Sequence, residues 1–433
     1  MKYTATALIA LTLPFSAANA ATDVERIRQL EARVAEQDAL IRTLAERLDI
    51  LAEVKPLPAP PLPTSPLISA SGIPVITTAD GVTIKPRGRL QAEALLVNSG
   101  NGATPTGTQL RRFQIGADGK LGGGFRYSAE ASFAGGKLGL EDVLIGYQAG
   151  PHDEIVVGYF KPSVTADDMT SDNYTLFLER SAYANIFAPG RRMGIGVNHF
   201  GKNWGVRTSL SGERDDVSLD GNRQEAWVAA IRAHANLLGD GADVLHLAGS
   251  SYYTRSSATD HAFSFAQKPE TNRALATLNT GTFAADDALF FGGEMAFSHG
   301  SFLIQAEGGT LRFDELSGGK PRFWGWSAQS SWRLTGETRG YDPKSGVFGR
   351  VIPKNPLGDG GFGALELGLR LGRVDLNDDV ITAGRMTTFG GVINWYPVTH
   401  TRFGMNVIRA KTEKLGLADQ DQTLVTVRAA VDW

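Results

Sequence analysis

The chain has 433 residues, a formal net charge of -3 and no cysteine. The missing cysteines exclude disulfides and thiolate metal sites, the charge argues against a general nucleic-acid binder, and no apolar run is long enough for a spanning helix. Glycine, at 51 residues, and a hydrophobic share of 42% suit a chain of many strands and turns.

In chain order, Lys2, the apolar stretch Ala5 to Phe15 and the small residues "SAANA" have the layout of a secretory signal cleaved after Ala20. Residues 1–20 are therefore expected to be a signal peptide, and the rest to be exported. Residues 21–55 carry an a/d heptad seam: Ile27, Val34, Ile41 and Leu48 on one register and Leu30, Leu44 and Leu51 on the other, with Gln37 the polar exception. Arg26 with Glu31, and Arg33 with Asp38, have the g-to-e spacing of a parallel assembly. The alternative is one amphipathic helix on the chain's own surface; four unbroken heptads favour the coiled coil. Residues 56–81 begin in "PLPAPPLPTSP", an extended spacer.

From 82 to 433 the chain alternates in segments of about ten residues, the signal of an antiparallel transmembrane barrel. Segments start near 82, 108, 125, 138, 154, 191, 204, 224, 242, 288, 301, 322, 361, 381, 401 and 422, which makes sixteen strands. In "ALELGLRLGRV" Leu365, Leu367, Leu369 and Leu371 share one face, and Glu366, Gly368, Arg370 and Gly372 the other. Trp324, Trp326 and Trp332 sit toward the two ends of one apolar face, where a membrane boundary would hold them. A soluble sandwich also alternates, so the export signal, the even strand count and the terminal aromatics decide for the barrel. The closing stretch "LVTVRAAVDW" places Val425, Val427, Ala429, Val431 and Trp433 on one face. It is expected to pair with the first strand and put Trp433 at the periplasmic boundary, because an unpaired edge in hydrocarbon costs several kcal/mol per group.

Short turns at 122–123, 150–153, 201–203, 239–241 and 398–400 are expected on the periplasmic side, and longer segments such as 257–287 outside. Gly336 to Gly361 breaks that rule: it is either a true periplasmic excursion or the sign of a miscounted hairpin. The connection Pro162 to Pro189 is rich in aromatic and apolar residues. A sixteen-strand lumen is too wide for side chains to fill, so this loop is expected to fold inward.

"GYFKPSVTADDMTSDNYTLFLERSAYANIFAPGRRMGIGV", from Gly158 to Val197, resembles the third-loop signature of the phosphate-selective porin O and P family. "WRLTGETRGYDPKSGVFGRVIPKNP", "GALELGLRL" and "GGVINWYPVTHTRFGMNVI" resemble its later blocks. The resemblance implies a trimeric outer-membrane porin for small anions such as phosphate or polyphosphate, narrowed by its third loop and lined by basic residues, with a long segment at 336–361. In strictly phosphate-selective members a lysine stands near the position of "SDNY"; here Asp172 and Asn173 stand there, which points toward a more general pore.

The candidate anion-binding residues are Arg111, Arg112, Lys120, Lys161, Arg180, Arg191 and Arg192. Rings of such cations attract anions in a narrow pore. Strand parity sends Arg112 inward and Arg111 outward, so Arg111 is expected at an interface or beside a bulge. Glu179 stands beside Arg180 and could neutralise it. Neither a cofactor nor a metal is implied: acid pairs such as Asp167–Asp168 read as surface charge, and the seven histidines lack ligand spacing. The expected partners are outer-membrane lipid and, through a periplasmic coiled coil, peptidoglycan or another envelope protein. The alternative function is a general porin whose coiled coil tethers it to the envelope. An outer-membrane enzyme would need a Ser–His arrangement that is not apparent.

Overall fold

The structure, a computed structural model, describes residues 28, 31–43, 46, 67–69, 73–99, 106–213, 225–238, 243–257, 261–315, 318–378 and 381–433. The chain divides into two compact units, Met1–Leu62 and Pro63–Trp433. In the first, residues 31–43 form helix α1, exposed along its length and carrying Val34, Gln37 and Ile41 of the heptad seam. The expected signal peptide, most of the proline-rich spacer and the other seam residues lie outside the described residues.

In the second unit the strands are β1 (Leu67–Ser69), β2 (Val75–Thr77), β3 (Thr83–Ser99), β4 (Thr106–Gly122), β5 (Phe125–Ser132), β6 (Gly139–Gln148), β7 (Asp153–Phe160), β8 (Arg192–Phe200), β9 (Trp204–Ser211), β10 (Trp227–Asn236), β11 (Val244–Arg255), β12 (Ala262–Gln267), β13 (Leu278–His299), β14 (Phe302–Glu315), β15 (Arg322–Arg333), β16 (Arg339–Asp342), β17 (Val347–Val351), β18 (Ala364–Asn377), β19 (Thr382–Tyr396), β20 (Thr401–Glu413) and β21 (Gln420–Asp432). Sixteen of them, all but β1, β2, β12, β16 and β17, form an antiparallel wall. It is closed by β21 against β3, with Val425 opposite Leu96 and Val431 opposite Leu90. Closure leaves no wall strand with an unpaired edge. Trp433 completes the seam by exchanging two backbone hydrogen bonds with Gly88, each 3.1 Å.

The burial pattern is that of a soluble protein turned inside out. Leu367, Leu369 and Leu371 are 37%, 54% and 43% exposed on the outer face, whereas Glu366 and Arg370 beside them are 0% and 2% exposed inside. Only a wall with hydrocarbon outside and a polar interior rewards that order. Fifteen strands start within three residues of the positions expected from alternation. The exception is β13, which begins at Leu278 because it runs beyond the wall to pair with β12.

Two segments depart from the expected layout. The long connection after β15 is a true excursion at the short-turn end, where β16 and β17 form a hairpin that turns into the lumen. Its backbone carbonyls at Ser345 and Gly346 accept from Arg232 at 2.9 and 3.1 Å, and the Pro343 carbonyl lies 2.8 Å from His234 Nε2. Residues 268–277, expected outside, also dip inward. Glu270, in a left-handed backbone conformation at φ 46°, is 4% exposed there.

Candidate functional site

The third loop begins after β7. Thr165 caps α2 (Ala166–Met169) by accepting from Asp168 N at 3.2 Å, and Ser181 caps α3 (Ala182–Phe187) by accepting from Ala184 N at 3.1 Å. Hydroxyl caps satisfy amides that helix starts leave free, so both turns are written locally in the sequence. Between them, "TLFL" lies against the lumen face of β18 to β20, where glycines leave room. A Cβ at Gly368 would sit 2.8 Å from Leu176, at Gly390 3.1 Å from Phe177, and at Gly404 2.7 Å from Leu178. Leu176 and Phe177 join Leu95, Val97, Val392 and Ile408 in one apolar cluster, and Tyr183, Ile186 and Phe187 join Phe290, Leu311 and Phe323 in another.

Arginines from the opposite end of the sequence fasten the loop. Arg402 donates to the carbonyls of Thr175 and Leu176, both at 2.7 Å, and Arg370 donates to that of Glu179 at 2.8 Å. Arg428 donates to the Leu178 carbonyl and Arg339 to that of Tyr174. Glu270 braces the same region through Arg370 at 3.3 Å, Thr388 at 2.9 Å and the amide of Ala182 at 3.2 Å.

Four sequence candidates meet here. Arg111 donates to both Glu179 oxygens at 2.8 Å. Arg112 lies 3.0 Å from Asp172, and Arg180 reaches the other oxygen of that carboxylate at 2.5 Å. Lys161 pairs with Asp168 at 2.7 Å. The other three candidates lie elsewhere. Arg191 turns to Glu141 and Asp142 at 2.6 and 2.8 Å, Arg192 donates to the Gly212 carbonyl at 2.9 Å, and Lys120 is exposed at the short-turn end of β4.

Arg111 turns inward against its strand parity, and the bulge expected as one of its two possible places is there: Gln91 pairs with Arg112 and Ala92 with Leu110, so Arg111 is the extra residue. A bulge breaks the alternation, and both arginines turn inward. One expectation is corrected: Glu179 is not the direct ion-pair partner of Arg180; it binds Arg111 and Arg428, while Asp172 and Asp168 take Arg180. Adjacent residues of a loop point apart, so sequence neighbours are poor guides to ion pairs.

Burial would raise the Glu179 carboxyl, but Arg112, Arg428 and Arg111 hold it at about 2. Asp172, equally penalised by burial, is held well below the usual carboxylate range by Arg112, Arg180, Lys161 and Arg89. Both stay ionised in their largely buried places because several cations face each one. The inward cations Arg89, Arg370, Arg402 and Arg428 come from distant strands with no local motif. Their single legible sign is parity, since each occupies a polar position opposite lipid-facing residues.

The sequence profile described as phosphate-selective porin O and P matches residues 84–433. An uncharacterised protein of Caulobacter vibrioides is 30% identical over 370 residues, covering 82% of this chain and 74% of its own. Porin O of Pseudomonas aeruginosa is 25% identical over 389 residues, covering 79% and 86%. Among solved structures, the anion-selective porin from Comamonas acidovorans superposes with a TM-score of 0.54 at 13% identity, over 81% of this chain and 100% of its own, a likeness of fold. The profile spans the closed wall from its first strand to its last, and on that ground the chain belongs to the phosphate-selective porin O and P family of the Gram-negative outer membrane.

Proposed function

We propose that the barrel is a passive diffusion channel for small anions, phosphate or polyphosphate among them, narrowed by the third loop over about 162–190. One observation carries the reading: arginines of β18, β20, β21, β3 and β4, one continuous arc of the wall, converge on the loop. Fixed cations in a partly dehydrated passage lower the energy of an anion and raise that of a cation. Within this reading Arg111, Arg112, Lys161 and Arg180 contribute to the narrow zone, Lys120 to the periplasmic mouth, and Arg191 and Arg192 to the outer side of the loop. The barrel assembles as a homotrimer, as the family resemblance implies, and the heptad segment lies in the periplasm, where it aids assembly or contacts peptidoglycan.

A specific observation favours weak over tight selectivity. Asp172 stands among Arg89, Arg112 and Arg180, at 3.8, 3.0 and 2.5 Å, where a solute anion would otherwise sit. The second reading is therefore a general porin with a mild anion bias and a tethering coiled coil. Reversal potentials across a salt gradient in planar bilayers test both, with phosphate as a competitor of chloride current. A strong anion preference with phosphate block supports the first, a mild preference without block supports the second, and preference for cations would sink both.

A further inference from the structure

On the outer face of the wall, at the long-loop end, three arginines have no ion-pair partner among the described residues. Arg312 of β14 and Arg322 of β15 are direct ladder partners, and both are exposed. Like charges in that relation repel unless an anion lies between them. Arg322 Nε donates to the neutral Thr310 hydroxyl at 2.8 Å, while its backbone N–H donates to Asp378 Oδ2 at 2.9 Å. Arg373 of β18 is the ladder partner of Trp326; its guanidinium lies 5.7 Å from the Trp324 ring centroid, and its Nε is buried without a hydrogen-bond partner. Farther round the same rim the outward cations are neutralised: Arg385 by Asp375 at 2.7 Å, Arg409 by Asp421 at 2.5 Å, and Lys411 by Glu413 at 2.9 Å. The Arg312–Arg322 pair stands toward the long-loop end, where lipid headgroups meet the wall, and Arg373, on the row of Trp326, reaches toward that level over the Trp324 ring.

Beside the trio the wall is hollowed. Gly249, Gly293, Gly308 and Trp326 are successive ladder partners across β11, β13, β14 and β15, and the row continues from Trp326 to Arg373. The three glycines floor an open hollow of about 810 Å³, with Leu247 and Met295 at its sides. A Cβ at Gly249 would meet nothing within 4 Å, and one at Gly293 only the Ala248 carbonyl at 3.9 Å. Gly308 lies on the same face as Arg312, four residues away, or about 13 Å of extended strand. That is a distance an acyl chain spans.

We propose that this face holds one phosphorylated glycolipid of the outer leaflet, its phosphate held by Arg312, Arg322 and Arg373 and one acyl chain lying in the glycine-floored hollow. Charge complementarity selects the headgroup: three cations without an ion-pair partner among the described residues favour an anionic lipid over a neutral one. The hollow then takes the attached chain, since its floor lacks side chains that neighbouring lipid-facing positions possess. The inference concerns the outer wall and does not depend on the solute in the lumen.

The test uses the full mature chain in detergent, titrated with bisphosphorylated lipid A and, in separate arms, with its dephosphorylated form and with inorganic phosphate, and read by native mass spectrometry. One lipid A should be retained, and the dephosphorylated form should bind more than roughly tenfold more weakly. R312Q/R322Q/R373Q and, separately, G249L/G293L should each lower retention more than roughly tenfold. Both should conduct like the parent in planar bilayers. Should the glutamine variant fail to fold, R312K/R322K/R373K carries the test, and retention within about twofold of the parent is expected. Equal retention of the dephosphorylated lipid, displacement of lipid A by inorganic phosphate, or unchanged retention in the glutamine variant would overturn the proposal. Unchanged retention in G249L/G293L alone would remove the acyl-chain half of it.

Discussion

Asp172 bridges Arg112 and Arg180, with Arg112 Nε 3.0 Å from one carboxylate oxygen and Arg180 Nη1 2.5 Å from the other. An acid of the third loop thereby compensates arginines that would otherwise face the passage. Replacing it with asparagine keeps the shape and removes the charge. Asp172→Asn should shift the reversal potential toward anions and lower the phosphate concentration for half-block of chloride current by about threefold to tenfold, or ~0.7–1.4 kcal/mol. An unchanged reversal potential would show that this carboxylate does not face the permeating ion.

Glu179 anchors the loop to the wall at two places far apart in the chain, through Arg111 and Arg428. Removing one partner from a buried pair leaves the others uncompensated, at a cost of about 3–5 kcal/mol. Glu179→Ala should loosen the loop, seen as added open-channel current noise and faster cleavage of the 162–190 segment by externally added protease. A quiet, protease-resistant channel would mean that the carbonyl contacts of Arg370, Arg402 and Arg428 suffice.

The same carboxylate sets a pH window. Its folded value of about 2 lies below the ordinary glutamate value of 4.5, so its contribution is complete above about 4.5 and fades as pH falls toward 2. Conductance and noise should therefore be flat from about pH 8 to 5 and change only below about 4. A transition near neutrality would point to other groups.

Inward glycines hold open the bed of the loop. At Gly368 a Cβ would meet Leu176 at 2.8 Å and Val392 at 2.9 Å. Gly368→Val should overpack this contact, cost about 1–3 kcal/mol and lower the thermal stability of the folded barrel in detergent. Gly249→Val on the lipid face, where nothing is within 4 Å of the added carbon, is the control and should leave stability near that of the parent.

Much of the wall was legible from alternation alone. Leu365 to Leu371 and Val425 to Trp433 show a period of two because each strand separates two solvents, and that pattern is local. At Arg111 the sequence left an interface and a bulge as alternatives, because an extra residue is visible only against its partner strand. The same holds for the inward hairpin of β16 and β17, whose length alone left its direction open.

By itself the sequence determined a two-faced cylinder wall of sixteen strands and a long apolar loop that must be buried somewhere. Tertiary structure decided which charges meet: Arg428 joins Glu93 of the first wall strand at 3.0 Å and Glu179 of the third loop. The physical reason is range. Alternation and capping depend on residues a few positions apart, whereas ion pairs between residues far apart in the chain depend on closure, register and the path of an infolded loop.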